Sequence, residues 1–200
     1  TLADKNSFLE LKKIFGRSVV TGFIRLEGKP YALIANDCQQ LGGAVDSEAS
    51  DKVANFLEIC NQHNLPIISL VDTPGFMVGP ESETEGAFRR MGNFFKRGAK
   101  VDSKFVAIIL RRGYGLGAMA MTGGSFLDPI YTASWPNGEF GGMVFEGYVK
   151  LGFKKELEAE ETEEKKQALY DKLLAKMYEV GRATEAASYL EMDAVIDPVD

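Results

Sequence analysis

The sequence is poor in the residues that most often bind metals or act as activated nucleophiles. It contains one histidine, His63, and two cysteines, Cys38 and Cys60. A single histidine excludes a three-histidine zinc site, and any Ser/His or Cys/His catalytic pair would have to use His63. The two cysteines are too few for a disulfide-stapled miniprotein and lack metal-ligand spacing. We therefore expect a reducing compartment, either the cytoplasm or a mitochondrial matrix.

Long apolar runs are also absent. No run approaches the ~20 residues that span a bilayer, and residues 1–4 lack the basic and apolar regions that begin a signal peptide. The formal net charge of −6 argues against nucleic acid or an anionic membrane as the partner. What the sequence does contain is 200 residues, of which 45% are hydrophobic and 26% charged. This composition is typical of one globular domain with a substantial core.

Buried strands and amphipathic helices alternate along the chain. Residues 66–72 form a nearly unbroken apolar run after a helix, which is typical of a parallel strand. This alternation predicts an α/β fold with a mostly parallel sheet. The other predicted strands are 18–26, 31–36, 105–111 and 130–134, with an extended end at 194–200. The predicted helices are 47–63, 86–100, 116–123 and a polar stretch from 154 to 180, whose charged run 154–166 we interpret as a solvated face. The helix over 47–63 has one apolar face, formed by Ala49, Val53, Phe56, Leu57 and Cys60.

A glycine loop at residues 113–118 follows the strand over 105–111. Gly113, Gly115 and Gly117 let the backbone turn sharply and approach a ligand closely. Unpaired N–H groups at the start of the next helix can bind an anion or a developing oxyanion. A tight strand–helix turn without function explains the pattern equally well. The loop also fits the dinucleotide fingerprint G-x-G-x-x-A, but no strand ending in an acidic residue follows ~20 residues later.

A second loop, residues 71–79, leaves the carboxyl end of the strand over 66–72. Asp72 could act as a base or a metal ligand, but such a residue more often caps the following turn, and we favour the cap. Gly75 and Gly79 allow strained backbone conformations beside the glycine helix. Both loops leave carboxyl ends of strands, where ligands gather in open α/β sheets.

Other candidate residues have simpler structural explanations. His63 lies at a helix C-terminus, where capping outweighs catalysis, and Ser125 lacks a G-x-S-x-G context. Glu139 is a candidate acid/base, although a structural hydrogen-bond acceptor is the better expectation. Arg111 and Arg112 could bind a phosphate or carboxylate, or one could pair with a surface acid. Four methionines could line an apolar pocket or fill the core: Met77, Met119, Met121 and Met143.

A series of short motifs occurs in a specific order along nearly the whole chain. They are Phe8-Leu9-Glu10, the segment 54–70 leading into V-D-T-P-G-F at 71–76, Tyr114-Gly115 after a basic pair, Trp135-Pro136 with Glu139 and Met143, and Val195-Ile196-Asp197-Pro198. In this order they resemble the C-terminal half of the carboxyltransferase β-type subunit of biotin-dependent acyl-CoA carboxylases.

This resemblance implies a fold and a domain organisation. The fold would be α/β and crotonase-like (ClpP/crotonase), a spiral of ββα units. Residues 1–200 would form the C-terminal carboxyltransferase domain, and residues 1–17 would lead in from an N-terminal half that is missing here. Acyl-CoA would bind mainly to that N-terminal half. Carboxybiotin would bind mainly to this half, at an interface with a partner subunit.

The resemblance also implies a site without a metal. The catalytic groups would be the backbone N–H groups of Leu116 and Gly117, which would hold the ureido carbonyl of biotin. Biotin would bind among Gly75, Phe76, Tyr114, Gly115, Leu116, Gly117 and Ala118, and the substrate pocket would include Met119, Glu139 and Met143. The sequence departs from many relatives at two of these positions. It has Leu116 in place of a glycine, and Met119 where a relative has an acidic residue that influences acyl selection, so the acyl-CoA stays open.

The implied function is transfer of a carboxyl group from carboxybiotin to the α-carbon of an acyl-CoA. The implied partners are the biotin carboxyl carrier protein, biotin carboxylase, the N-terminal carboxyltransferase half and further copies of the chain. Three alternatives stay open. They are a biotin-dependent decarboxylase or transcarboxylase, a crotonase-type CoA hydratase or isomerase with Glu139 as acid/base, and a non-catalytic assembly module with its interface near Phe94-Phe95 or Phe145.

Overall fold

A computed structural model describes residues 3–80 and 86–199; residues 81–85 of the loop that follows Asp72, and the two extreme ends of the chain, lie outside this description. The strands are β1 (Leu9–Leu11), β2 (Val19–Leu26), β3 (Lys29–Asn36), β4 (Ile67–Thr73), β5 (Phe105–Tyr114), β6 (Tyr131–Ser134), β7 (Glu139–Gly141) and β8 (Ala194–Val195). The helices are α1 (Ser47–Gln62), α2 (Ala87–Gly98), α3 (Gly115–Met121), α4 (Phe145–Gly152), α5 (Lys154–Glu158), α6 (Glu163–Val180) and α7 (Ala183–Ser188). A short 3₁₀ turn occupies Leu41–Gly43.

The strands of the described part form one mixed sheet. Its order is β1-β2-β3-β4-β5-β6-β8, and β7 pairs with the far end of β5. The pairs β1–β2 and β2–β3 are antiparallel, and every pair from β3 onward is parallel. The prediction of a mostly parallel α/β sheet is therefore confirmed. The segment over 1–17 contributes β1, and β7 follows the turn at 135–138; neither strand was predicted.

Helix α1 forms where the sequence indicated. The Asp46 side chain caps its start by accepting a hydrogen bond from the Ala49 amide at 2.7 Å, and His63 is its C-cap residue. The predicted apolar face is buried, with Val53 and Leu57 at 0% exposure. These side chains pack against the sheet and anchor the central hydrophobic core.

One charged residue of α1 is buried, which the hydrophobic pattern did not indicate. Lys52 is 1% exposed, and its Nζ donates to the carbonyl oxygens of Val19 at 2.7 Å and Gly16 at 3.4 Å. Burial lowers the pKa of Lys52 below its ordinary value. On the preceding turn, Glu48 accepts a hydrogen bond from the Gly16 amide at 3.2 Å. The two side chains hold the start of β2 onto α1.

Helix α2 packs along α1 and is amphipathic. Arg90 and Arg97 form ion pairs with Asp51 and Glu58 of α1 across the exposed side of this contact. Phe94 lies on the buried side with 0% exposure. The alternative assembly interface was expected among exposed apolar residues near Phe94-Phe95 or Phe145, and the structure buries two of these three residues. Phe94 and Phe145 are core side chains, the latter 1% exposed, and Phe95 packs against the core as a partly buried residue.

The C-terminal helices form a more exposed layer. The Thr162 side chain caps α6 by accepting a bond from the Lys165 amide at 3.3 Å. Within the charged run 154–166 the ion pairs join exposed side chains one turn apart, as expected for a solvated face. Among the helices described, none combines the length and apolar character needed to cross a membrane.

Candidate active site

The two loops singled out from the sequence meet backbone to backbone. Strands β4 and β5 are parallel neighbours, so the loops that leave their carboxyl ends lie side by side. A Cβ atom placed on Gly117 would lie 2.5 Å from the carbonyl carbon of Gly75 and 2.7 Å from the amide nitrogen of Phe76. Any side chain at Gly117 would force the two loops apart, so glycine is required there by packing.

The start of α3 presents main-chain donors at this junction. Tyr114 is the N-cap residue but supplies no side-chain cap. Gly115 has a φ of +60°, and a Cβ there would lie 2.8 Å from the carbonyl oxygen of Gly142. The amide N–H groups of Leu116 and Gly117 lie in the first turn of α3, where main-chain donors have no acceptor earlier in the helix. Such N–H groups at a helix start carry partial positive charge.

An apolar cavity of about 570 Å³ lies against this junction. Among the described residues, none of those that line it carries a charged or hydroxyl side chain. They are Pro74, Gly75, Phe76, Val78, Phe88, Met91, Gly92, Phe95, Gly115, Leu116, Gly142, Met143, Val144 and Gly147. Polar contacts from this described lining would therefore come from the main chain. Leu116 itself is 62% exposed.

A second cavity of about 590 Å³ lies on the other side of the same junction. Gly115 and Gly142 belong to both linings and form the ridge between the two spaces. The second lining includes Met119 and Tyr189, with Glu185 and Glu191 as its acidic members. Two ligands could thus approach the start of α3 from opposite sides.

The structure distributes the predicted site residues unequally. Gly75, Phe76, Gly115, Leu116 and Met143 line the first cavity, whereas Met119 lines the second. Met119 and Met143, which the sequence analysis placed in one substrate pocket, are therefore separated. Gly117 and Ala118 are buried and line neither cavity.

Tyr114 and Glu139 form a partly buried polar pair beside the glycine helix. The Tyr114 ring is 1% exposed, and its hydroxyl donates to Glu139 Oε2 at 2.8 Å. Burial and the neighbouring carboxylate raise the pKa of Tyr114 above its ordinary value. Glu139 is thus the structural acceptor that the sequence analysis favoured, and it lines neither of the two cavities. The ring of Phe145 packs edge-on against Tyr114 at 5.1 Å between centroids.

Asp72 does not cap the following turn, so that expectation is wrong. Its carboxylate accepts hydrogen bonds from Arg111 Nη2 at 2.9 Å and from Arg112 Nε at 2.7 Å. Burial alone would raise the pKa of Asp72, but hydrogen bonds from Arg112 and Arg111 outweigh it and hold the pKa below its ordinary value. The basic pair therefore binds an internal carboxylate. The turn is closed instead by Thr73, whose hydroxyl accepts from the Gly75 amide at 3.1 Å.

Two other candidate residues, Met121 and Ser125, have structural roles. Met121 is a core residue with 0% exposure, and Ser125 accepts a hydrogen bond from the Leu127 amide at 3.0 Å. Among the residues described, no group of three or more His, Cys, Asp or Glu side chains is placed to hold a metal ion. Phe88, Met91 and Gly142 also line the first cavity and were not predicted from the sequence. The three-residue spacing of Phe88 and Met91 could have predicted that they share one face of a helix. The position of Gly142 could not be predicted in this way, because it depends on the pairing of β7.

Comparison with known proteins supplies the family. Residues 1–200 match the family model for the carboxyl transferase domain. The chain belongs to this family. The carboxyl transferase domain is 34% identical to the propionyl-CoA carboxylase beta chain of Saccharopolyspora erythraea, over 86% of this chain and 32% of the relative. It is 30% identical to the methylmalonyl-CoA carboxyltransferase 12S subunit of Propionibacterium freudenreichii subsp. shermanii, over 100% of this chain and 37% of that subunit.

Solved structures agree with this assignment. The carboxyl transferase domain superposes on a single-chain, multi-domain long-chain acyl-CoA carboxylase with a TM-score of 0.88 and 50% identity, over 98% of this chain and 20% of that one. The transcarboxylase 12S structure gives a TM-score of 0.90 at 29% identity, over 98% of this chain and 37% of that one. The predicted crotonase-like fold is confirmed. The chain spans 32% and 37% of the two curated relatives.

Proposed function

We propose that this domain is the carboxybiotin-side half of a biotin-dependent acyl-CoA carboxyltransferase. One observation carries the proposal. The amides of Leu116 and Gly117 lie in the first turn of α3, whose N–H groups have no acceptor earlier in the helix, where two glycine loops meet beside an apolar cavity. Donors arranged in this way stabilise an oxygen that gains negative charge.

The cavity fits a biotin ring system in size and chemistry. Its volume of about 570 Å³ lies within the roughly 300–1,000 Å³ of ligand sites. A bicyclic urea on a thioether ring needs apolar walls and a few hydrogen-bond donors. The apolar walls are supplied by Phe76, Phe95 and Met143, and the donors by the main chain.

The residues of the cavity have distinct roles in this proposal. Carboxybiotin, when bound, would supply the carboxyl group for the α-carbon of the acyl-CoA and, as its N–C bond breaks, the ureido nitrogen that accepts the α-proton. The amides of Leu116 and Gly117 donate to the ureido oxygen, and loss of one such donor costs ~3 kcal/mol of transition-state stabilisation. Phe76 and Met143 exclude water, which strengthens those hydrogen bonds because the local dielectric is low. No side-chain base is needed.

The acyl group is assigned to the second cavity. Its position across the ridge of Gly115 and Gly142 lets both substrates reach the start of α3. Met119 gives this cavity an apolar side chain beside the acidic Glu185 and Glu191, a combination that favours an uncharged acyl chain. A hydratase or isomerase with Glu139 as acid/base has less support, because this carboxylate is bound to Tyr114 and lines neither cavity.

The proposal includes partners. They are an N-terminal carboxyltransferase half, a biotin carboxyl carrier protein, a biotin carboxylase and further copies of this subunit. The chain's length relative to its curated relatives supports the missing half. A relative in Mycobacterium tuberculosis, 32% identical, is named as a biotin-dependent long chain acyl-CoA carboxylase beta subunit. The transcarboxylase 12S structure is described as a hexamer with methylmalonyl-CoA bound.

Two substitutions of Leu116 test the main-chain donor directly. Leu116→Pro removes the N–H within the first turn of α3, where proline is tolerated, whereas Leu116→Ala keeps it. Titration of the ¹⁵N-labelled chain with biotin methyl ester is expected to shift the amides of residues 75–76 and 113–118. The response should persist in Leu116→Ala and disappear in Leu116→Pro. Shifts confined to other residues, or an unchanged response in Leu116→Pro, would refute the proposal.

A further inference from the structure

Strands β4 and β5 lose their regular register immediately before the active-site loops. Val71 pairs with Ile109, but the next pair is Thr73 with Gly113. One residue of β4 therefore faces three residues of β5, which is a bulge in the parallel ladder. At the same place the strand that pairs with the other edge of β5 changes. The first part of β5 pairs with β6, and its last three residues pair with β7.

The carboxylate of Asp72 fills this bulge. Besides the two arginine side chains, its Oδ1 accepts the main-chain amide of Arg112 at 3.3 Å. That amide belongs to the bulged stretch, so the side chain supplies the acceptor for it. The Asp72 side chain is 14% exposed and that of Arg112 21%, whereas that of Arg111 is 50% exposed. Arg112 is therefore the stronger partner, because exposed ion pairs contribute little.

The same network reaches the neighbouring strand β3. The Asp72 amide donates to Asn36 Oδ1 at 3.1 Å, and Arg112 Nη2 donates to the Gly42 carbonyl at 2.7 Å. The Asn36 amide group donates to the Gly43 carbonyl at 3.2 Å. Three successive parallel strands are thus joined at their carboxyl ends around Asp72, whose main-chain amide contacts β3 and whose carboxylate contacts β5.

This position is close to the site without being part of it. Asp72 precedes Gly75 by three residues, and Arg112 precedes Gly115 by three. Asp72 and its arginines line neither cavity. They lie at the base of both loops, whose backbones touch at Gly117.

We propose that Asp72 is a positioning residue of this site, because its carboxylate fixes the β4–β5 bulge and thereby the place where the loops carrying Gly75 and Leu116 meet. The expected effect of Asp72 on catalysis rests on the proposed function. Its expected effect on the structure of the loops rests on the bulge alone. A carboxylate is required because one group must accept a main-chain amide and two guanidinium groups together.

The experiment compares Asp72→Asn, Asp72→Ala and Asp51→Asn in the 200-residue chain. Asp72→Asn keeps one oxygen for the Arg112 amide, whereas Asp72→Ala keeps none. Asp51→Asn is the control. It removes the same charge from the ion pair that joins α1 to Arg90 of α2, which does not involve the bulge. The readouts are amide shifts, hydrogen exchange and the midpoint of thermal unfolding. The amide of Val53 in the core serves as the internal reference.

We expect Asp72→Asn to shift the amides of residues 74–77 and 111–117 and to speed their exchange, with Val53 unchanged and an unfolding midpoint like that of Asp51→Asn. Asp72→Ala should do the same more strongly. Carboxyl transfer by the assembled enzyme should fall in kcat by at least about tenfold with a smaller change in KM, since a misplacement of ~1 Å costs up to about a hundredfold. The proposal is overturned if residues 74–77 and 111–117 respond no more than Val53 does. A wild-type chain that fails to bind biotin methyl ester would sink the proposed function, while the amide comparison would still decide the role of Asp72.

Discussion

Gly117→Ala tests most directly whether backbone packing between two loops builds the site. The added Cβ would lie 2.5 Å from the carbonyl carbon of Gly75, whereas carbon atoms in contact are ~3.5–4.0 Å apart. The loops would have to separate by about 1 Å. Overpacking of this kind costs about 1–3 kcal/mol. Alanine also gains about 1 kcal/mol over glycine inside a helix, so the measured loss is reduced by that amount.

Gly152→Ala is the matched control. It lies at the end of α4, and its new Cβ would meet only ring atoms of Tyr148 at ordinary distances of 3.7 Å or more. Urea unfolding should show Gly117→Ala to be less stable than Gly152→Ala by about 1–3 kcal/mol. Carboxyl transfer should fall by up to about a hundredfold in Gly117→Ala alone. Equal stabilities, together with unshifted amides at Gly75 and Phe76, would refute the packing argument.

Two further predictions concern buried polar groups. Tyr114→Phe leaves the Glu139 carboxylate without its 2.8 Å partner and should lower the free energy of unfolding by about 1–3 kcal/mol. Tyr148→Phe, whose ring is 42% exposed, is the control and should change little. Because the folded pKa of Asp72 lies below the ordinary 3.8, its contribution to stability is present above that pH and is lost as the pH falls through the folded pKa. Asp72→Asn should therefore lose less stability than the wild type as the pH falls through this range. Acid unfolding with the same pH dependence as the wild type would contradict the role given to the Asp72 carboxylate.

Local patterns determined most of the fold. Helix α1 was predictable because its apolar residues repeat at helical spacing between an aspartate cap and His63. Strands β4 and β5 were predictable because central parallel strands are buried on both faces and read as apolar runs. The ordered motifs also led to the family, which the match over residues 1–200 confirms.

Some local patterns had more than one structural solution. The aspartate at the end of β4 could have capped its own turn, and the adjacent arginines could have faced solvent or a ligand. The bulge in β5 brought Arg111 and Arg112 opposite Asp72 and selected a third arrangement. The position of Lys52 was likewise decided by tertiary contacts, because carbonyl oxygens at the start of β2 accept hydrogen bonds from its buried Nζ.

By itself, the sequence determined the order of strands and helices, the buried faces and the two glycine loops, because these depend on residues close together in the chain. Only the tertiary structure decided that Gly117 packs on the Gly75–Phe76 peptide, that two cavities flank the start of α3, and that Met119 and Met143 line different ones. Those features depend on the register between β4, β5 and β7, where residues far apart in sequence meet. A shift of that register would move the loops without changing the local patterns.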